Sequence, residues 1–231
     1  MPKPLIIAHR GDSSRALENS LAAFQLALAL PVDMIEFDVR KSRDNQLYVM
    51  HDIETVRTDG KNINIEQSLT EELSVVKLKN GEFIPTLSAV LTLVNGKVGL
   101  NIEVKSEGAG ALTAAHLAGF GYKGSVLISS FKEREVLDAR RVLPSVPVSG
   151  IFDTFVPSEV NKYRSQGYGV ISLRKKTVTR ELVSACHDQK IKVYVWTVDE
   201  EDEIKRFIEW GVDGMYSNKP MVLKRVVDGL G

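Results

Sequence analysis

The feature that most constrains this chain is an alternation, sustained from end to end, of short apolar runs and amphipathic stretches. The apolar runs cover residues 5–9, 34–38, 98–104, 126–130, 146–151, 169–173, 193–197 and 214–217. Between them, residues 20–30, 86–94, 132–142, 179–189 and 200–209 carry the helical spacing of apolar side chains. Strands alternating with helices imply βαβ units and a parallel sheet. About eight such units close a TIM (β/α)8 barrel, and a chain of 231 residues has the length for one. The alternative is an open doubly wound sheet, but the first turn, His9-Arg10-Gly11-Asp12, lacks a glycine-rich nucleotide loop. The expectation is an α/β TIM barrel forming a single domain over residues 1–231.

One segment departs from the alternation. Residues 47–51 (LYVMH) have strand character, yet only residues 39–46 separate them from Asp38. A parallel crossover needs a dozen residues or more, so the two runs are expected to pair as an antiparallel hairpin. A turn centred on Arg43-Asp44 sets Glu36 opposite His51 and Asp38 opposite Val49. Residues 53–84 follow without a clear period, with 57–62 (Arg57-Thr58-Asp59-Gly60-Lys61-Asn62) reading as turn and 69–78 as a short helix. This stretch is expected to be a short insertion after the second strand, with Phe83 and Ile84 serving in packing.

Charge and hydropathy exclude some function classes. Lys+Arg and Asp+Glu both number 30, so no net basic field exists to attract nucleic acid, and phosphate recognition has to be local. No run approaches the ~20 apolar residues of a membrane span, and residues 5–8 are too short for a signal-peptide core. The expectation is a cytoplasmic protein without an integral membrane segment. A single cysteine, Cys186, cannot form an intramolecular disulfide.

Barrel active sites lie at the C-terminal ends of the strands, and several of these ends are ionisable here. The first run ends in His9-Arg10-Gly11, the second in Glu36-Phe37-Asp38 with its return arm ending in His51-Asp52, and the third in Glu103-Val104-Lys105. Residues two apart on a strand face the same way, so Glu36 and Asp38 share a face, as do Glu103 and Lys105. A single carboxylate could simply pair with Arg10, Arg40 or Lys105. Three at one mouth, with two histidines close by, favour a hard divalent cation, which prefers oxygen ligands. Two histidines suit phosphodiester cleavage as base and acid, and Arg10 and Lys105 suit a phosphate. His116 and His187 fall within helical stretches and carry a structural reading.

These residues also carry a family resemblance. His9-Arg10-Gly11, Glu18-Asn19, Glu36-x-Asp38, His51-Asp52, Glu103-x-Lys105, Ser130-Phe131, Trp196-Thr197-Val198 and Gly211-Val212-Asp213-Gly214 stand in the order seen in the glycerophosphodiester phosphodiesterase family, which the chain resembles over nearly its whole length. The resemblance implies a TIM barrel with an insertion after its second strand. It implies one divalent metal ion (Mg²⁺, Ca²⁺ or Mn²⁺) on Glu36, Asp38 and Glu103, acid–base roles for His9 and His51, and substrate contact through Arg10 and Lys105. Trp196 is implied as pocket wall, with plain core packing as its alternative, and Glu18 and Asn19 as supporting residues. The implied substrate is a small glycerophosphodiester, cleaved to an alcohol and glycerol 3-phosphate, by way of a cyclic phosphate or by direct attack of water. Leu17 and Ile53 stand where the family often has proline, and Ser217-Asn218 replaces a commoner pair, so none of the implied ligands is altered. Three other readings compete: a phosphodiesterase for lysophospholipid-type diesters, a non-catalytic sugar-phosphate-binding barrel, and an aldolase-like barrel using Lys105 as a Schiff base.

Overall fold

A computed structural model describes residues 3–56 and 60–229. Eight parallel strands close on themselves: β1 (Leu5–His9), β2 (Met34–Lys41), β4 (Gly99–Val104), β5 (Val126–Ser130), β6 (Val148–Phe152), β7 (Val170–Arg174), β8 (Lys192–Trp196) and β9 (Gly214–Ser217). Pairing of β1 with both β2 and β9 shuts the cylinder. The ninth strand, β3 (Leu47–Val49), adds antiparallel to β2 outside the cylinder. This is the expected TIM barrel.

Helices form where the sequence supplies caps and an apolar face. Ser20 caps α1 (Leu21–Leu28), Thr86 caps α3 (Leu87–Val94) and Thr179 caps α7 (Arg180–Asp188), each side chain accepting an otherwise orphaned backbone N–H. α8 (Glu201–Trp210) opens on three acidic residues, which suit the positive end of its dipole, and stops at Gly211 in the left-handed conformation. α5 (Glu133–Val142), α6 (Val160–Ser165) and α9 (Pro220–Gly229) complete the outer ring. α4 (Ala109–Phe120) has no side-chain cap of its own. The buried Glu135 of α5 caps it instead, accepting from Gly108 N–H (2.8 Å) and Gly110 N–H (2.7 Å). Contact there is so close that a Cβ on Gly110 would lie 2.0 Å from the Glu135 carbonyl oxygen.

Strand residues alternate between two environments. Ile35, Phe37, Val39, Leu100, Ile102 and Val104 pack outward in the main core with helix residues such as Phe24, Leu87 and Val136. Each such side chain contributes roughly 1.5–3 kcal/mol on full burial. The inward residues form layers. Ile7, Met34, Leu127, Val170 and Tyr194 plug the lower barrel, with Tyr216 above. A buried polar layer follows: Ser129 Oγ donates to Asn101 Oδ1 (2.9 Å) and Asn101 Nδ2 to the Tyr216 hydroxyl (2.9 Å). The Tyr216 hydroxyl then meets Ser172 Oγ (2.9 Å), and Ser172 meets Ser149 (3.1 Å). The ionisable residues sit above this floor.

The hairpin exists, but its register is shifted by one residue from the expected pairing. Val39 faces Val49 and Lys41 faces Leu47, so Asp38 is bonded to Met50 rather than set against Val49. The cause is Asn45, whose left-handed conformation (φ 67°) adds a third residue to the turn between Ser42 and Gln46. The helix expected over 69–78 is a single turn, α2 (Thr70–Leu73). β-Branched Val75 and Val76 follow, and Leu78 spends its amide and carbonyl on a turn with Glu82 and Gly81. Within the turn read over 57–62, residues 57–59 lie outside the described residues. A small core of Tyr48, Met50, Ile65, Leu73, Val76, Leu78 and Ile84 holds the insertion to the hairpin. Ile84 packs as expected; Phe83 does not, being exposed beside Lys77.

Candidate active site

A cavity of about 120 Å³ opens at the C-terminal end of the barrel. His9, Arg10, Glu36, His51, Glu103, Lys105 and Trp196 line it, above the floor of Asn101, Ser172 and Tyr216. Strand register explains the gathering: His9 is level with Glu36 on the neighbouring strand, and Asp38 is level with Glu103. Period-2 alternation turns these side chains to the mouth while Phe37 and Val104 face the helices.

Glu36, Asp38 and Glu103 are buried, and one carboxylate oxygen of each lies within 4.8 Å of the others. Such crowding is costly without compensation. Burial, then repulsion from Asp38 and Glu103, raises the Glu36 carboxyl well above its ordinary range. Burial and Asp38 push Glu103 up to about 7. Burial alone would raise Asp38 too, but Lys105, Arg10 and His51 hold it below the usual carboxylate range. Lys105 Nζ bridges Asp38 Oδ1 (3.1 Å) and Glu103 Oε1. Burial opposes the Lys105 charge, yet Asp38 and Glu103 raise its pKa, so the amine stays protonated and cannot serve as a Schiff-base nucleophile. Beyond its ion pair with Lys105, the buried Asp38 Oδ1 has no hydrogen bond among the described residues. An all-oxygen donor set, three carboxylates deep and short of positive charge, fits a hard divalent cation.

The first loop supports the acids. Arg10 and Gly11 both have positive φ (57° and 82°), and Gly11 packs against the Ala23 backbone, where a Cβ would lie 2.7 Å from the carbonyl carbon. That bend aims Arg10 N–H at Glu36 Oε2 (2.9 Å). The Arg10 guanidinium reaches Asp38 Oδ2 (3.2 Å) and Glu18 Oε1 (2.9 Å). Asn19 donates from Nδ2 to Asp38 Oδ2 (2.8 Å) and accepts from Asp38 N–H. Trp196 meets Phe131 edge-on, with ring centroids 5.7 Å apart, and both line the cavity. Trp196 thus lines the cavity and also packs against the inner barrel cluster.

Both histidines are tied back through Nδ1. His9 Nδ1 lies 2.7 Å from Asn218 Oδ1. Asn218 Nδ2 is committed to Asp199 Oδ2 (2.8 Å), and Ser13 Oγ also donates to Asn218 Oδ1. The His9 proton therefore sits on Nδ1, leaving the Nε2 lone pair free, 3.9 Å from Glu36 Oε2. Burial, then Arg10, lowers the His9 pKa to about 4. His51 Nδ1 pairs with Asp52 Oδ1 (2.7 Å), and burial also lowers its pKa. The residues given site roles from the sequence, His9, Arg10, Glu18, Asn19, Glu36, Asp38, His51, Glu103, Lys105 and Trp196, are thus at this mouth or bonded to a residue that is. Arg40 is the exception among the charges: it pairs with Glu66 and the His51 carbonyl, not with the cluster. Asn218 and Asp199 escaped the sequence reading; the signal available was Ser217-Asn218 closing the last strand. His116 bonds Ser88, and His187 bonds Asp213 beneath the barrel, both away from the cavity.

Known proteins resemble this chain in sequence and in fold. A glycerophosphodiester phosphodiesterase of Caldanaerobacter subterraneus subsp. tengcongensis is 31% identical, over 97% of this chain and 98% of its own. An Oleispira antarctica phosphodiesterase, solved in complex with the product sn-glycerol-3-phosphate, superposes with a TM-score of 0.91 at 24% identity, covering 98% of this chain and 97% of its own. A glycerophosphodiester phosphodiesterase from Parabacteroides distasonis gives a TM-score of 0.88 at 24% identity, covering 99% and 98%. Residues 9–222 match one family throughout, which takes in both histidines and all three carboxylates, and the chain belongs to the glycerophosphoryl diester phosphodiesterase family.

Proposed function

We propose that this protein is a metal-dependent glycerophosphodiester phosphodiesterase of the cytoplasm, hydrolysing small glycerophosphodiesters to an alcohol and glycerol 3-phosphate. One observation carries the reading: two histidines, each tied back through Nδ1, line the same cavity as a buried three-carboxylate cluster. Among the described residues no helix is long and apolar enough to cross a membrane.

Glu36, Asp38 and Glu103 would hold the cation, Mg²⁺, Ca²⁺ or Mn²⁺. When bound, it supplies positive charge that offsets the charge of the phosphoryl transition state. Burial and then Arg10 favour neutral His9, and its Nδ1–H is held by the Asn218 amide oxygen, so its Nε2 is the base. It removes the proton of the glycerol 2-hydroxyl as that oxygen bonds to phosphorus. Burial lowers the His51 pKa and Asp52 on Nδ1 opposes that effect and orients the ring, and His51 is assigned to protonate the departing alcohol as the P–O bond breaks. Water then opens the cyclic phosphate with the two roles exchanged. Arg10 and Lys105 face the phosphate oxygens, and Trp196 with Phe131 walls off the apolar side of the glycerol. A second reading, lysophospholipid-type diesters, draws on the insertion, where Ile53, Val56, Val75 and Phe83 are 41–72% exposed.

The test is glycerol 3-phosphate release from glycerophosphocholine by chelator-stripped protein, with each cation added back. Release restored by cation in the wild type, and absent from His9→Ala and Glu36→Ala, is the expected result. No release from any glycerophosphodiester would refute the proposal, whereas release from lysophospholipid alone would select the second reading.

A further inference from the structure

His51 does not stand on a barrel strand. It follows the short return arm β3, and the insertion departs just beyond it, so the barrel's own hydrogen bonds do not fix its main chain. Something else has to.

Arg40, near the end of β2, supplies the fixture. Its Nε and Nη2 converge on one acceptor, the His51 carbonyl oxygen, at 2.9 and 2.8 Å. Its third nitrogen, Nη1, donates to Glu66 Oε1 of the insertion at 2.7 Å. The same Glu66 oxygen accepts from Ser106 Oγ (2.7 Å), a fully buried hydroxyl after β4 that in turn accepts from Lys41 N–H (3.1 Å). Three segments, the end of β2, the insertion and the loop after β4, thus meet at one guanidinium and close on the carbonyl of His51. Arg40 is only 14% exposed, so water competes weakly for these bonds. The planar fork matters, because a lysine is a point charge without two fixed convergent N–H groups.

We propose that Arg40 is a positioning residue for His51, and that Glu66 makes the insertion part of the catalytic apparatus by holding Arg40 in place. The proposal rests on the reading that His51 is catalytic. Displacing a reacting group by about 1 Å costs up to about 100-fold in rate, so the effect belongs in kcat. The phosphate and cation groups do not touch Arg40, so KM is left nearly alone.

A double-mutant cycle on the full-length, cation-loaded protein tests this, with glycerophosphocholine as substrate. Arg40→Met is expected to lower kcat about 10- to 100-fold, with KM within about threefold. In the His51→Ala background the same substitution is expected to cost less than about twofold, because nothing remains to position. Glu66→Ala follows the pattern of Arg40→Met, while Glu66→Gln, which can still accept from Arg40, recovers most of the rate. A cation-induced rise in melting temperature equal to the wild type's certifies that each variant is folded with its carboxylates in place. If Arg40→Met does not fold, the Glu66→Ala and Glu66→Gln pair carries the same cycle. An equal loss in both backgrounds, or no loss in the wild type, overturns the brace while leaving the phosphodiesterase reading intact. Full activity in His51→Ala overturns the catalytic reading of His51, and the brace with it.

Discussion

Replacing Glu103 by glutamine removes one negative charge from the carboxylate cluster and almost no volume, so its effect on stability isolates the cost of that charge. In the folded protein the Glu103 carboxyl is pushed up to about 7, chiefly by burial and then by Asp38, against an ordinary value of 4.5. A raised folded pKa means that the native state keeps its proton after the unfolded chain has lost it. The stabilisation is full below about pH 4.5 and is lost as pH rises through about 7. At about 1.4 kcal/mol per unit, the loss is on the order of 3 kcal/mol in cation-free protein. For a chain of this size that is about 6–12 °C in melting temperature. In chelator, Glu103→Gln is therefore expected to melt with the wild type near about pH 5 and roughly 6–12 °C above it near about pH 8. Saturating Mg²⁺ or Mn²⁺ reverses the order, since the ionised wild-type carboxylate is then a ligand. The assay is thermal unfolding of both proteins at the two pH values, with and without cation. A glutamine variant no more stable than the wild type at the higher pH in chelator refutes the reasoning.

Gly110→Ala forces a Cβ to within 2.0 Å of the Glu135 carbonyl and disturbs the cap of α4; a loss of about 3 kcal/mol or more is expected in denaturant unfolding. Asn218→Ala frees the His9 ring from its tautomer and is expected to lower kcat about 10- to 100-fold, read in steady-state kinetics below the variant's melting temperature. A substrate analogue lacking the glycerol 2-hydroxyl is expected to lose turnover; undiminished cleavage would show direct attack by water instead. Cys186 is fully buried, and burial pushes its thiol up to about 12, so a thiol reagent is expected to label it only once the protein unfolds.

The barrel and the heart of its mouth were legible because both obey local periodicity. Glu36-x-Asp38 and Glu103-x-Lys105 reveal a shared face through spacing alone, and His9 and His51 stand at the ends of apolar runs. What was not legible depends on details that spacing does not encode. The hairpin register turned on whether Asn45 would take a left-handed conformation, and one residue's difference moved every cross-strand partner. Arg40 looked like a counterion for the carboxylates, but the same shifted hairpin sets it against the His51 carbonyl. Asn218 is neutral and lies 209 positions from His9, so no local pattern joins the two; only closure of β9 on β1 does.

The polar layer beneath the mouth has a further consequence. In the pairs Tyr216–Ser172 and Ser172–Ser149 either oxygen can be the donor. A turn about each C–O bond therefore reverses the hydroxyl dipoles along the row while every heavy atom stays where it is. When the charge above changes, from protonated acids to a cation or from substrate to product, the floor can respond as oriented solvent would. The barrel thereby keeps a small amount of water-like polarisability under its most highly charged atoms.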